Sequence, residues 1–158
     1  ASSIVVRESG GSTVDRATLV AFDPERDLAV LDVTDLSAPA LDIGQDLGAG
    51  DQAYAAGYPG DGPFTITPQR VRDQLTARGT DIYQSGTVER QIYSLRGSIR
   101  PGNSGGPLLD QSGDVVGVVF ARSTVDPDTG YALTLEELRP VLGSVGPTPI
   151  SSGACSAG

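Results

Sequence analysis

Short apolar runs recur along the chain, broken by Gly, Pro and Asp and interleaved with polar positions. Alternation on this scale, punctuated by turn residues, is the signature of half-buried strands joined by hairpins rather than of long amphipathic helices. The pattern predicts strands over residues 3–8, 17–22 and 28–33, then over 52–58, 64–72, 87–95, 107–109, 115–121 and 130–134. Residues 37–51, rich in Pro, Gly, Ala and Asp, read as a linker with Leu41 and Ile43 as a short apolar contact. Residues 75–82 hold no clear alternation and read as loop. Thr134 followed three positions later by Glu137 makes a capping box that opens a short helix over 135–145, with Pro140 limiting its length. The tail, 146–158, is rich in Pro, Ser and Gly. The expected organisation is all-β: an incomplete N-terminal barrel of about three strands over 1–36, the linker, a complete six-stranded barrel over 52–134, the helix and the tail.

Composition narrows the chemistry. The chain has 158 residues, which suits one domain or two small barrels sharing an interface. It contains no His and no Lys; all 11 basic residues are Arg, against 20 Asp and Glu, for a net charge of −9. Scattered arginines at that charge give no stripe for phosphate neutralisation, so nucleic acid is not an expected partner. One Cys and no His leave a zinc site only oxygen ligands, and neither a metal nor a cofactor is expected. A nucleophilic Ser would find no His or Lys base within these residues. The longest apolar run, Val115 to Ala121, is interrupted by Gly117 and is far too short to span a bilayer. The chain does not open on Met and shows no signal peptide, so it is read as a piece of something longer. The lone Cys155 fits either an unpaired thiol in the tail or a disulfide to a cysteine elsewhere.

The stretch that carries chemistry is Arg100-Pro101-Gly102-Asn103-Ser104-Gly105-Gly106-Pro107, followed at once by a strand. A catalytic serine needs its hydroxyl on a tight, exposed turn, with backbone N–H groups converging where an oxyanion forms. Gly102 lets the chain turn so that its own N–H and that of Ser104 point the same way, while Gly105 and Gly106 clear space for a substrate. The Gly-Asn-Ser-Gly-Gly-Pro run resembles the nucleophile loop of trypsin-like serine proteases, in the variant of the bacterial high-temperature-requirement branch. Upstream, Asp23-Pro24-Glu25-Arg26-Asp27-Leu28-Ala29-Val30-Leu31 resembles that branch's aspartate segment. Gly57-Tyr58-Pro59-Gly60, Gly117-Val118-Val119-Phe120 and Gly130-Tyr131-Ala132-Leu133-Thr134 extend the likeness. With Asp81-Ile82-Tyr83, Ile92-Tyr93-Ser94-Leu95-Arg96 and Gly153-Ala154-Cys155, it is similar to the membrane-anchored periplasmic serine proteases of actinobacteria.

That resemblance implies a chymotrypsin-like double β-barrel and an endopeptidase acting on protein or peptide substrates. It implies Ser104 as nucleophile, Asp27 as the carboxylate that orients a histidine, and Gly102 and Ser104 as oxyanion-hole donors. Phe120, Ala121 and Arg122 are implied to present backbone to the substrate, and Ser98 to sit near the base of the primary pocket. The family's His and the thiol partner of Cys155 are both implied to precede this chain, as is a transmembrane anchor holding the protein outside the cytoplasm. Without that His the chain is expected to be inactive, and an open half-barrel invites domain exchange or oligomerisation. Asn103 stands where digestive trypsins carry the Asp that pairs with a newly cut N-terminus, so activation by that salt bridge is not expected. The alternative is a non-catalytic, protease-like module that holds a peptide in its cleft.

Overall fold

The computed structural model describes residues 4–7, 14–34, 36 and 38–153. Cys155 therefore lies outside the described residues, as do parts of the N-terminal segment and the tail. The described chain is mostly β, with one short α-helix, and divides into two compact units. One gathers residues from 1–40, 78–88 and 139–158; the other comprises 41–77 and 89–138.

The first unit is built on a three-stranded antiparallel sheet: β1 (Ile4–Arg7), β2 (Val14–Asp23) and β3 (Leu28–Val33), in that order. A tight loop closes the β2–β3 hairpin between the paired Asp23 and Leu28. Asp23 makes that loop. Its Oδ1 accepts the N–H groups of Glu25 (3.0 Å) and Arg26 (2.9 Å), and its Oδ2 accepts Arg26 Nη1 at 2.8 Å. This Asx turn satisfies backbone donors that the strands have released. Val20 is an extra residue in the β2–β3 register, and the neighbouring Leu19 carbonyl accepts the N–H of Ile150 at 2.9 Å. Tyr83 donates its hydroxyl to the Ser152 carbonyl (3.1 Å), and Ile82 N–H donates to Pro24 (3.3 Å).

The second unit is a closed barrel in the order β4-β5-β6-β9-β8-β7. Its strands are β4 (Gln52–Gly57), β5 (Thr65–Thr80), β6 (Thr87–Arg96), β7 (Pro107–Leu109), β8 (Val115–Arg122) and β9 (Thr129–Thr134). Alternation drives closure: on β4, Ala53 and Ala55 are fully buried, and on β6 Tyr93 and Leu95 are. These pack with Val71, Ile99, Leu108, Val116, Val119 and Ala132 into one core. The Tyr93 hydroxyl keeps its polarity satisfied, accepting Leu47 N–H at 3.0 Å and donating to Asp46 Oδ1 at 3.4 Å. The stretch expected as a linker is tied down along the barrel. Ile43 forms a parallel bridge with Val115, with Gly44 N–H donating to Val115 and Val115 N–H to Asp42, both at 2.8 Å.

Two local expectations change. β5 runs through Thr80, absorbing most of the stretch expected as loop. From Asp73 to Leu75 successive side chains are all exposed, so the period-two signal vanishes while the backbone continues as strand. The helix α1 (Leu135–Gly143) forms, with Pro140 inside it, but not through a capping box. Thr134 is the fully buried last residue of β9 and its Oγ1 has no hydrogen-bond partner. Glu137 instead accepts the N–H of Gln91 on β6 at 2.8 Å. A buried carboxylate next to a strand's unpaired donor is better used across the fold than within its own first turn.

Candidate active site

The turn joining the end of β6 to β7 holds Ser104 at its exposed crest. Gly102 takes φ +95° and Gly105 φ +82°, left-handed conformations that favour glycine. At Gly102 the requirement is also steric, since a Cβ there would collide with the Tyr58 carbonyl oxygen. The loop is anchored on both flanks. Tyr58 N–H donates to Gly102 (3.2 Å) and Gly60 N–H to Pro101 (2.7 Å), while Gly105 N–H donates to Val119 (2.8 Å) and Val119 N–H to Gly106 (2.9 Å). Within the loop, Asn103 N–H donates to Arg100 and Gly106 N–H to Asn103 (3.0 and 2.9 Å), and Asn103 Oδ1 accepts Arg100 N–H at 3.0 Å.

These contacts hold the nucleophile candidate in a defined place. Ser104 Oγ donates to the Phe120 carbonyl at 3.2 Å. Phe120 is the extra residue of a β-bulge between Val119 and Ala121, unpaired in the β8–β9 register. Bulges of this kind re-aim backbone groups beside functional sites. Its ring lies against Tyr131, centroids 6.4 Å apart. No partner among the described residues takes up the N–H of Gly102 or of Ser104, so both amides remain available as donors.

The other candidates fall out as follows. Ala121 pairs with Tyr131 and Arg122 with Gly130 on β9; Ala121 is half-buried and Arg122 exposed. Ser98 lies in the wall of a cavity of about 260 Å³ with Pro59, Thr65, Thr67, Arg100 and Asn103, and its carbonyl accepts Gln69 Nε2 at 3.2 Å. Phe120, Ala121 and Arg122 are not in that wall. Ile99, next to Ser98 in sequence, is buried, and a Cβ on Gly130 would collide with its Cγ1. Asp27, in the first unit, occupies the last position of the β2–β3 loop at φ +57°, a conformation Asp tolerates better than most residues. Its side chain is exposed, with no hydrogen-bond or ion-pair partner among the described residues. Neighbouring Asp23 is a different case. Burial pushes its pKa up, but the Arg26 N–H, the Arg26 guanidinium and the Glu25 N–H together outweigh this and hold it below 3.8. No group of three or more His, Cys, Asp or Glu among the described residues is arranged to hold a metal.

The bracing role of Asn103 was not evident from sequence. Its one signal is spacing: an Asn three residues after Arg100, across a Pro-Gly turn, sits within reach of that residue's backbone N–H.

Comparison with known proteins agrees with this geometry. The sequence matches the trypsin-like peptidase domain family over residues 2–118. It is 41% identical over 142 residues to the serine protease Rv3671c of Mycobacterium tuberculosis, covering 88% of this chain and 36% of that protein. It is 31% identical over 141 residues to a probable periplasmic DegP-like serine endoprotease of Ectopseudomonas mendocina, covering 86% of this chain and 28% of the relative. The chain thus spans well under half the length of these relatives. Among solved structures, the active form of the Rv3671c protease from M. tuberculosis superposes with a TM-score of 0.87 at 39% identity, over 93% of this chain and 66% of that one. The HtrA-type protease AlgW with a decapeptide gives a TM-score of 0.75 at 30% identity, over 91% and 44%. A glycine-framed serine turn on a closed β-barrel, matched in sequence over most of the chain and in structure to HtrA-type proteases, makes this chain a member of the trypsin-like serine peptidase family.

Proposed function

We propose that this chain supplies the nucleophile, the oxyanion donors and the orienting carboxylate of an extracytoplasmic serine endopeptidase. The observation that carries the reading is the Ser104 turn: an exposed hydroxyl, fixed on the Phe120 carbonyl, beside two uncommitted backbone N–H groups. Ser104 Oγ attacks a peptide carbonyl, and a histidine outside these 158 residues takes its proton. Asp27 holds that imidazole in the required tautomer and stabilises the imidazolium. Gly102 and Ser104 N–H groups receive the oxyanion, at about 3–4 kcal/mol per donor. The β8 residues Phe120, Ala121 and Arg122 line the extended substrate, with Ser98 toward the primary pocket. The periplasmic naming of the DegP-like relative supports a site outside the cytoplasm. Membrane anchoring belongs to the longer protein; among the described residues no helix is long and apolar enough to cross a membrane.

With no His in the sequence, the chain alone is expected to turn over peptides on the order of 10⁶-fold more slowly than a complete triad. That same absence favours one second reading, a non-catalytic module that holds peptides in the cleft. A fluorophosphonate probe, which reacts with activated serines, separates the two. Labelling of the full-length protein, abolished by Ser104→Ala, with this chain alone unlabelled, is the expected result. Labelling of neither would leave the nucleophile turn as a scaffold and establish the binding module instead.

A further inference from the structure

Asp27 has no side-chain partner among the described residues and sits exposed at the end of the β2–β3 loop. A carboxylate that must meet another group at a fixed angle then depends on its backbone being held. Part of that hold is internal, the Asp23 turn over Glu25 and Arg26. Part comes from outside the loop: Ile82 N–H donates to the Pro24 carbonyl at 3.3 Å. Because the proline ring fixes φ, anchoring this carbonyl sets the peptide plane that leads into Glu25 and the rest of the loop.

Ile82 belongs to a turn braced from within. Asp81 Oδ1 accepts the N–H groups of Tyr83 (3.0 Å) and Ser85 (2.8 Å), its Oδ2 accepts the Ser85 hydroxyl, and Asp81 N–H donates to Gly86 at 3.2 Å. Tyr83 is 41% exposed, yet its hydroxyl is committed, donating to the Ser152 carbonyl of the tail at 3.1 Å. Gly153, at φ +74°, keeps this approach clear, since a Cβ there would crowd the hydroxyl at 3.3 Å. The tail is itself tied to β2 where Val20 drops out of register, through Ile150 N–H on the Leu19 carbonyl at 2.9 Å. β2 runs on into Asp23, so the contacts close a ring: Leu19, Ile150, Ser152, Tyr83, Ile82, Pro24 and back along the strand. All of it lies in the first unit. A closed network resists distortion at every member, because none shifts without straining the others.

We propose that Tyr83 is a positioning residue: by bolting the β5–β6 turn to the tail, it holds the loop that presents Asp27. The proposal rests on the reading of Asp27 as the orienting carboxylate, and Tyr83 acts on the reaction only through that group.

The test uses the full-length protein with a peptide substrate, comparing Tyr83→Phe, Asp27→Asn and the double variant. Phe keeps the exposed ring and removes only the hydroxyl; Asn tolerates the positive φ at position 27. Tyr83→Phe is expected to lower kcat about fivefold, the scale of one hydrogen bond, with KM unchanged. Asp27→Asn is expected to lower kcat by about 10⁴, since an amide sets the wrong imidazole tautomer. With the carboxylate gone, Tyr83→Phe is expected to cost nothing further. A merely structural role lowers the active fraction in both backgrounds alike, so equal losses overturn the proposal. An unchanged kcat in Tyr83→Phe beside a large loss in Asp27→Asn overturns it as well. Hydrogen exchange at the Ile82 amide checks the ring without reference to activity: Tyr83→Phe is expected to speed it several-fold, and an unchanged rate is again an overturning result. No turnover by the full-length protein, or full activity in Asp27→Asn, is a separate failure; it removes the reading of Asp27, and the proposal with it.

Discussion

At the scale of single residues, the Ser104 turn depends on atoms that are absent. Gly102 combines φ +95° with a backbone carbonyl where a side chain would start. Gly102→Ala therefore adds conformational strain to a collision with Tyr58, which is backbone and cannot rotate away. We expect a loss of at least about 1–3 kcal/mol of unfolding free energy in urea titration. A loss below roughly 0.5 kcal/mol, the scale of an ordinary surface substitution, would mean the turn relaxes freely. Gly130 is the complementary case, since the obstacle there is the Ile99 side chain. Gly130→Ala is expected to destabilise, and to do so much less in an Ile99→Ala background. Additive losses in that double-mutant cycle would show that the two do not share the space.

Elements show where a sequence pattern carries and where it fades. α1 is pinned to the barrel by Glu137, whose carboxylate accepts Gln91 N–H at 2.8 Å and is 6% exposed. Glu137→Ala leaves that strand donor unpaired and is expected to cost about 1–3 kcal/mol. Glu137→Gln keeps an acceptor in place and is expected to lose less, measured in the same denaturation series. Equal losses would mean that the contact matters as packing and not as a hydrogen bond. Thr134 and Glu137 had the spacing of a cap, and local spacing cannot reveal that β6 lies near enough to claim the carboxylate. The same limit explains β5. Its inward alternation stops before Asp73, but pairing continues because neighbours in the sheet, such as Gln91 donating to Thr76 Oγ1 at 2.8 Å, support a strand with no buried face. β3 and β7 were legible to the residue, because each is a short apolar run bounded by turn residues. The Ser104 turn was legible because its glycines are required by backbone geometry. The bulge at Phe120 was not, since nothing in Val-Val-Phe-Ala marks which residue drops out of register.

Across the whole molecule, charge sets a pH profile with two regimes. At neutral pH the net charge of −9 is self-repelling, and protonation toward the sequence pI of about 4.3 relieves it. Little stability is expected to be lost in that range. Three carboxylates are held below their ordinary value. Asp23 is held below 3.8 by Arg26 and Glu25 against the opposing effect of burial. Asp81 is held below it chiefly by the Ser85 hydroxyl and N–H, and Asp126 chiefly by the Thr129 hydroxyl and the Asp128 N–H. Each folded-state pKa lies under the unfolded value. Each group therefore contributes stability that is fully present above 3.8 and is lost as pH falls through the folded pKa. All three close turns: the β2–β3 loop, the β5–β6 hairpin and the β8–β9 connection. Acid should thus open the hairpin ends before it reaches the barrel core, whose Ala, Val, Leu and Ile residues carry no charge. Melting temperature measured by circular dichroism across the acid range, for the chain and for the combined Asp23→Asn, Asp81→Asn, Asp126→Asn variant, checks this. The variant is expected to melt lower at neutral pH, with the gap closing as pH drops below 3.8. A gap that stays constant through that window would show that these carboxylates act through hydrogen-bond shape alone, which an amide reproduces in part, and not through their charge.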